Sequence, residues 1–159
     1  MIPLTEKFIR TNFINASKKE RSELSLPENF DEVDWDSLDY FGWRDPRVAR
    51  RAYAFVPIGG DEVRGILFQQ QPPLAKPQLC GWCHDVRLPN DVVFSNAKRS
   101  GSSGRNGNTV AVYVCKNFEC SFNVRNDPPS PYDGFDMDAA RTSRIEGLRE
   151  RAAKFAAEL

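Results

Sequence analysis

All four cysteines of the 159-residue chain fall in two close pairs, Cys80-Gly-Trp-Cys83 and Cys115-Lys-Asn-Phe-Glu-Cys120. No other feature limits the fold as strongly. Two thiolates on one tight turn reach a common ion at a Zn–S distance of about 2.3 Å, and two such turns complete a tetrahedron. The 31 residues between the pairs read as a β-hairpin with a long loop, which brings the two turns together. Other chemistries fit parts of the pattern. A disulfide framework wants an oxidising compartment, and the N-terminus MIPLTEKFIRTNF lacks the basic and then apolar regions of a secretory leader. A redox Cys-x-x-Cys leaves the second pair unexplained. The string CGWCH at 80–84 matches a c-type haem attachment pattern but leaves Cys115 and Cys120 idle. One Zn²⁺ uses all four residues and is the reading favoured here.

Such an ion is structural, because four protein ligands leave no position open for water or substrate. Gly81 is expected to ease the first turn through its conformational freedom. Lys116, Arg87 and backbone N–H groups are available to offset the formal charge of −2 on a zinc tetrathiolate.

The rest of the chain reads as an α+β domain of hairpins and terminal helices. Residues 5–16 suggest a first helix capped by Thr5, with Leu4, Phe8, Ile9 and Phe13 at helical spacing. The polar stretch SKKERSELSLPEN reads as a helix end followed by a loop. Residues 31–47 mix acids with Trp35, Tyr40, Phe41 and Trp43, and read as a short helix closing at Gly42 with its aromatics in the core. Residues 51–58 and 63–69 read as strands joined by a GGDE turn. Residues 91–95 and 109–115 read as two more, with Val110, Val112 and Val114 on one face. The Gly- and Ser-rich segment 97–108 reads as a long flexible loop. Asp136 or Asp138 can cap a last helix, whose stripe Ile145, Leu148, Ala152, Phe155 and Leu159 docks on the sheet. One domain is expected over 1–159, with an N-terminal helix and hairpin region (5–78), a zinc-binding region (79–125) and a C-terminal helix (136–159).

Several functions find no support in the residues. His84 is the single histidine and sits beside the first knuckle, where a surface role is favoured over acid–base chemistry. No Gly-rich phosphate loop precedes a helix, no pair of carboxylates stands out, and no small-molecule substrate is implied. No apolar run approaches the roughly 18 residues of a membrane span, and the expected location is the cytoplasm. Formal net charge is zero, unlike the strong basic excess of a dedicated nucleic-acid binder. Residues 25–45 are nonetheless acidic, and 79–125 carry six basic against three acidic residues.

The runs DYFGWRDPRVARRAYAFVPI, LCGWCHDVRLPNDVVF and GRNGNTVAVYVCKNFECSFNVR resemble the C-terminal treble-clef zinc-finger domain of elongation factor G-binding proteins. These are the FusB-type fusidic acid resistance proteins and their relatives. The resemblance extends from about Thr5 to the last helix. It rests most specifically on the cysteine spacing, with Gly-Arg-x-Gly before the second strand of the hairpin in support. It implies a treble-clef-like zinc site with Cys80, Cys83, Cys115 and Cys120 as ligands. It also implies elongation factor G (EF-G) as partner, and a non-enzymatic action that promotes release of EF-G from the ribosome. FusB-type proteins have a helical bundle before this domain, whereas here one short helix precedes the acidic stretch. The sequence is therefore expected to be close to the zinc domain alone.

Aromatics and Arg are the side chains most often found at binding hot spots. The expected partner contacts are Trp82 at the first knuckle, Phe118 in the second, Arg99 and Arg105 on the loop, and Phe155 on the last helix. Trp82 and Phe118 are equally placed to shield the zinc from water. The alternative is a zinc-stabilised module for RNA or the ribosome. In that reading Lys98, Arg99, Arg105 and Lys116 meet phosphates, while Trp82 or Phe118 stacks on a base.

Overall fold

The computed structural model of the chain describes residues 1–73, 76–85, 91–127, 130 and 132–159. Residues 41–70 are rich in aromatic and β-branched side chains, which favour pleated strands, and here the chain folds into three consecutive strands: β1 (Phe41–Arg44), β2 (Arg51–Gly59) and β3 (Glu62–Gln70). The hairpin β4 (Val92–Lys98) and β5 (Thr109–Cys115) continues them. The result is one antiparallel meander in the order β1-β2-β3-β4-β5. Pairing is long between β2 and β3, where Tyr53 faces Leu67 and Phe55 faces Gly65. It is short between β3 and β4, at Gln69 with Asn96 and Gln70 with Ser95.

The sheet is covered on both faces, which is why the middle of β2 is buried without alternation. Ala52, Ala54 and Val56 point into a cluster with Ile66, Phe68, Trp82, the four cysteines and the last helix. Tyr53 and Phe55 point the other way, into a cluster with Leu4, Ile9, Phe13, Leu24, Phe41 and Trp43. The second cluster is roofed by α1 (Glu6–Thr11), whose N-cap is Thr5, accepting from the Phe8 N–H at 3.2 Å. After α1 the chain pairs with β3, exchanging hydrogen bonds of 2.9 Å through Ile14 and Gly65 and through Gly65 and Asn12. A Cβ on Gly65 would lie 2.7 Å from the Asn12 carbonyl oxygen, so this close approach needs glycine.

The last helix, α5 (Met137–Glu158), starts at Asp136, which accepts from the Ala139 N–H at 2.8 Å. Leu148, Ala152, Phe155, Ala156 and Leu159 are buried against the sheet, as the apolar stripe suggested. Arginines fasten its flank. Arg141 donates to the Arg125 carbonyl, Arg144 to those of Asn123 and Asn126, and Arg151 to that of Trp82. Arg149 and Arg125 meet on the buried carboxylate of Asp39, at 2.8 Å and 2.5 Å.

Three local expectations are corrected. The polar stretch after residue 16 forms a helix of its own, α2 (Lys18–Glu23), because Ser17 and Glu20 make a reciprocal capping box. Residues 31–47 do not form a helix closing at Gly42. Two 3₁₀ turns, Phe30–Glu32 and Trp35–Ser37, lead into β1. Gly42 lies within that strand, where a Cβ would stand 2.6 Å from the Phe118 ring. The segment 97–108 is ordered. It extends β4 to Lys98 and then makes a short helix, α3 (Gly101–Arg105). Its backbone joins the end of α5 through the Ser100 N–H to the Leu159 carbonyl at 2.6 Å.

A Gly42→Ala substitution should destabilise the protein by about 1–3 kcal/mol, the usual cost of overpacking a filled core. Urea denaturation is the measurement. An unchanged midpoint would show that the Phe118 ring yields.

Candidate metal centre

The site forms where three irregular pieces of backbone converge. The first knuckle runs from Cys80 to His84, and the His84 N–H closes on the Cys80 carbonyl at 3.0 Å. It is tied to β5 by the Gly81 N–H, which donates to the Tyr113 carbonyl at 2.7 Å. The strain of this turn falls on His84, with φ of 54°, and not on Gly81. Gly81 serves instead as a place of close approach, since a Cβ there would lie 3.0 Å from Val112. The second knuckle begins at Cys115, the last residue of β5, and ends at Cys120, the first residue of α4 (Cys120–Arg125). Phe118 turns this corner with φ of 63°, its N–H donating to the Cys115 carbonyl at 3.0 Å.

All four sulfurs are buried and lie within 4.8 Å of one another. Cys80 and Cys120 are 3.6 Å apart, as are Cys83 and Cys115. A tetrahedron with Zn–S bonds of about 2.3 Å has edges of about 3.8 Å, so the donor set fits one zinc ion. The thiols share their protons unevenly. Hydrogen bonds from Cys115 and Cys120 hold Cys80 far below the ordinary thiol range, whereas burial pushes Cys120 well above it. A dication at the centre removes that conflict, because all four sulfurs then bind as thiolates. Zinc supplies the cross-link between the knuckles, and the chain supplies donors to the sulfurs. The Cys83 N–H reaches Cys80 Sγ and Asn123 Nδ2 reaches Cys115 Sγ, each at 3.5 Å. Lys116, expected in this role, is paired with Asp91 at 3.2 Å, and Arg87 lies outside the described residues.

A knuckle, a β-hairpin and a helix that carries the last ligand make a treble clef. The family model described as the FBP C-terminal treble-clef zinc-finger matches residues 8–159. The chain belongs to this family. Among solved structures, the fusidic acid resistance protein FusC is similar, with a TM-score of 0.50 and 20% identity. At that identity the likeness is one of fold. It covers 74% of this chain and 56% of FusC, so the chain spans little more than half the length of that protein. No curated protein sequence matches the chain.

Within the treble clef, three of the expected partner contacts prove to be core residues. Trp82 is 1% exposed, and Phe118 and Phe155 are buried with it. Tyr40 meets the Trp82 ring edge-on at 4.9 Å, and Phe155 meets it at 5.9 Å. Phe68 stacks on Phe155 at 5.6 Å. Among the described residues the Trp82 indole N–H has no hydrogen-bond partner, and the ring is held by packing. The first knuckle is pressed inward against the sheet, and its tip therefore points at α5 rather than at solvent. Arg99 and Arg105 lie away from the zinc: Arg99 is half-buried and donates to the Glu158 carbonyl, and Arg105 is exposed.

Sequence reasoning missed Asn123, three positions after the last cysteine, and Tyr40, whose hydroxyl donates to the Phe118 carbonyl at 3.2 Å. Only the position of Asn123, one turn beyond a ligand on the same short helix, offered any signal.

Purified protein should carry one zinc per chain, and removing it with a chelator should unfold the segment around residues 79–125, followed by amide exchange. Retention of full structure without metal would refute the structural role. Trp82→Ala should cost about 3–5 kcal/mol of stability, as loss of a large buried aromatic does. A thermal midpoint equal to that of the parent would place Trp82 outside the core.

Proposed function

We propose that this protein binds translation elongation factor G without catalysis and promotes its release from the ribosome, as a cytoplasmic protein whose residues 1–159 act as one domain. The partner comes from the sequence resemblance to elongation factor G-binding proteins, and family membership and the fold shared with FusC support it. The observation that carries the reading is the position of the exposed apolar side chains. Five large ones are exposed among the described residues, and three stand within two positions of a zinc ligand. Leu79 (51% exposed) precedes Cys80, Tyr113 (36%) is two before Cys115, and Phe122 (69%) is two after Cys120. Phe94 packs beside Tyr113 on the hairpin at 5.4 Å. Each side chain is held by backbone that the metal cross-links. A pre-ordered aromatic loses little freedom on docking, which is the property of a hot spot.

A non-enzymatic role agrees with the chemistry of the site. Four thiolates saturate the ion, and no coordination position remains to polarise a substrate. His84 is exposed at the knuckle, and its pKa is lowered by partial burial and by the nearby Arg151. The RNA alternative needed Trp82 or Phe118 as a stacking surface, and both are enclosed. No described helix is long and apolar enough to cross a membrane.

Calorimetric titration of the zinc-loaded protein with EF-G from the same organism, at low and moderate salt, tests the reading. Micromolar or tighter binding that survives the salt is expected. Phe122→Ala should weaken it by about tenfold or more, the effect of truncating a hot spot, with zinc content and thermal midpoint unchanged. Absence of binding at both salts would overturn the proposal.

A further inference from the structure

The Gly-Arg-x-Gly motif has no part in the zinc site, and the structure gives it another setting. It lies at the far end of the β4–β5 hairpin. Lys98 pairs with Thr109 there, while Val92 pairs with Cys115 beside the metal. Six residues of strand separate the two ends by about 20 Å. The turn is built around Gly104, where a Cβ would fall 1.7 Å from the Arg99 carbonyl oxygen, so no other residue fits. Gly101 and Gly107 complete it with φ of 63° and 87°. This tight fold gathers Lys98, Arg99 and Arg105 around a cavity of about 320 Å³, closed on its other side by residues 14–17 and Glu20 of the N-terminal segment.

The charges in this cavity are unbalanced. Glu20 is the one acid among the lining residues. Its carboxylate already accepts from the Ser17 N–H at 2.8 Å and feels the positive field of Arg51 and, more weakly, of Lys98. Among the described residues neither Lys98 nor Arg105 forms a close ion pair, although Lys98 acts on Glu20 at longer range. One N–H of Arg99 donates to the Glu158 carbonyl, which fixes the position of the guanidinium. Three cations against one committed acid leave a formal +2, within a concave site anchored on both sides. Asn15 ties the two walls together, donating to the Leu67 and Lys98 carbonyls at 3.0 Å and 3.1 Å. A cavity of this size lined by a lysine and two arginines suits a compact dianion, and phosphate oxygens match the forked donors of arginine.

We infer that the cavity between the Gly104 turn and residues 14–20 is a binding site for a small phosphate-bearing anion, held by Lys98, Arg99 and Arg105. The site is separate from the apolar surface around the zinc, and it stands whether or not that surface takes EF-G.

The test is a titration of ¹⁵N-labelled, zinc-loaded protein with inorganic phosphate and with pyrophosphate, read by amide shifts at fixed ionic strength. Saturable shifts confined to residues 14–17 and 98–105 are expected. A Lys98→Ala/Arg105→Ala double variant should weaken them by at least about tenfold, the scale of lost charge-assisted hydrogen bonds. Lys154→Ala, which removes one exposed charge from α5, should leave them unchanged, as should Phe122→Ala. Shifts spread over all basic surfaces, or equal losses in Lys154→Ala, would overturn the site. So would binding of single-stranded RNA through the same residues, with a steep salt dependence and no response to the small anions, since the cavity would then follow a polymer backbone.

Discussion

Four sulfurs converging on one point set the terms for the rest of the molecule. The sheet by itself is a weakly joined object, with β4 and β5 attached to β3 at only two paired positions. The metal site supplies the missing connection. It joins the connector after β3, the end of β5 and the start of α4 at one centre. Because a zinc tetrathiolate has fixed bond lengths and angles, the join is rigid where a hydrophobic contact would slide. Everything packed on it inherits that rigidity: the Trp82 ring, the Phe118 corner and, through Asn123, Asn126 and Trp82 carbonyls, the arginines of α5.

Much of this was legible in the residues. The ligand set followed from spacing alone, because chelation demands paired thiols on turns. Strands β2 to β5 followed from apolar runs bounded by turn residues, β5 also from its alternation, and α5 from its stripe and acidic cap, whereas β1 did not. What escaped had specific causes. The helix at Lys18–Glu23 has no buried residue, so no apolar periodicity announces it, and a capping box alone creates it. Gly42 looked like a helix terminator but marks the contact of a strand with an aromatic ring across the fold. Gly and Ser in 97–108 suggested mobility, yet those glycines allow a compact turn. The inward direction of Trp82 depends on the packing of Tyr40, Phe68 and Phe155, partners 42, 14 and 73 residues away, which no single turn of local sequence contains.

Core and surface also divide in an instructive way. Aromatics within the knuckles, at Trp82 and Phe118, are consumed by packing, whereas those just outside, at Tyr113 and Phe122, remain in solvent. The ion thus separates two sets of apolar residues only a few positions apart in sequence. One set stabilises the fold, and the other is presented by it.

The position of α5 after the zinc-binding segment has a consequence for how the chain matures. The N-terminal cluster, with Tyr53 and Phe55 under α1, is complete once β3 has emerged from a ribosome. The opposite face of the same strands is partly covered by Trp82, Phe118 and Val124 and is completed only by the 22-residue α5. A nascent chain can therefore gather its cysteines around an ion while the sides of Phe68 and Trp82 that meet Phe155 are still open to solvent. The metal can then hold a half-dressed sheet in register until α5 closes it.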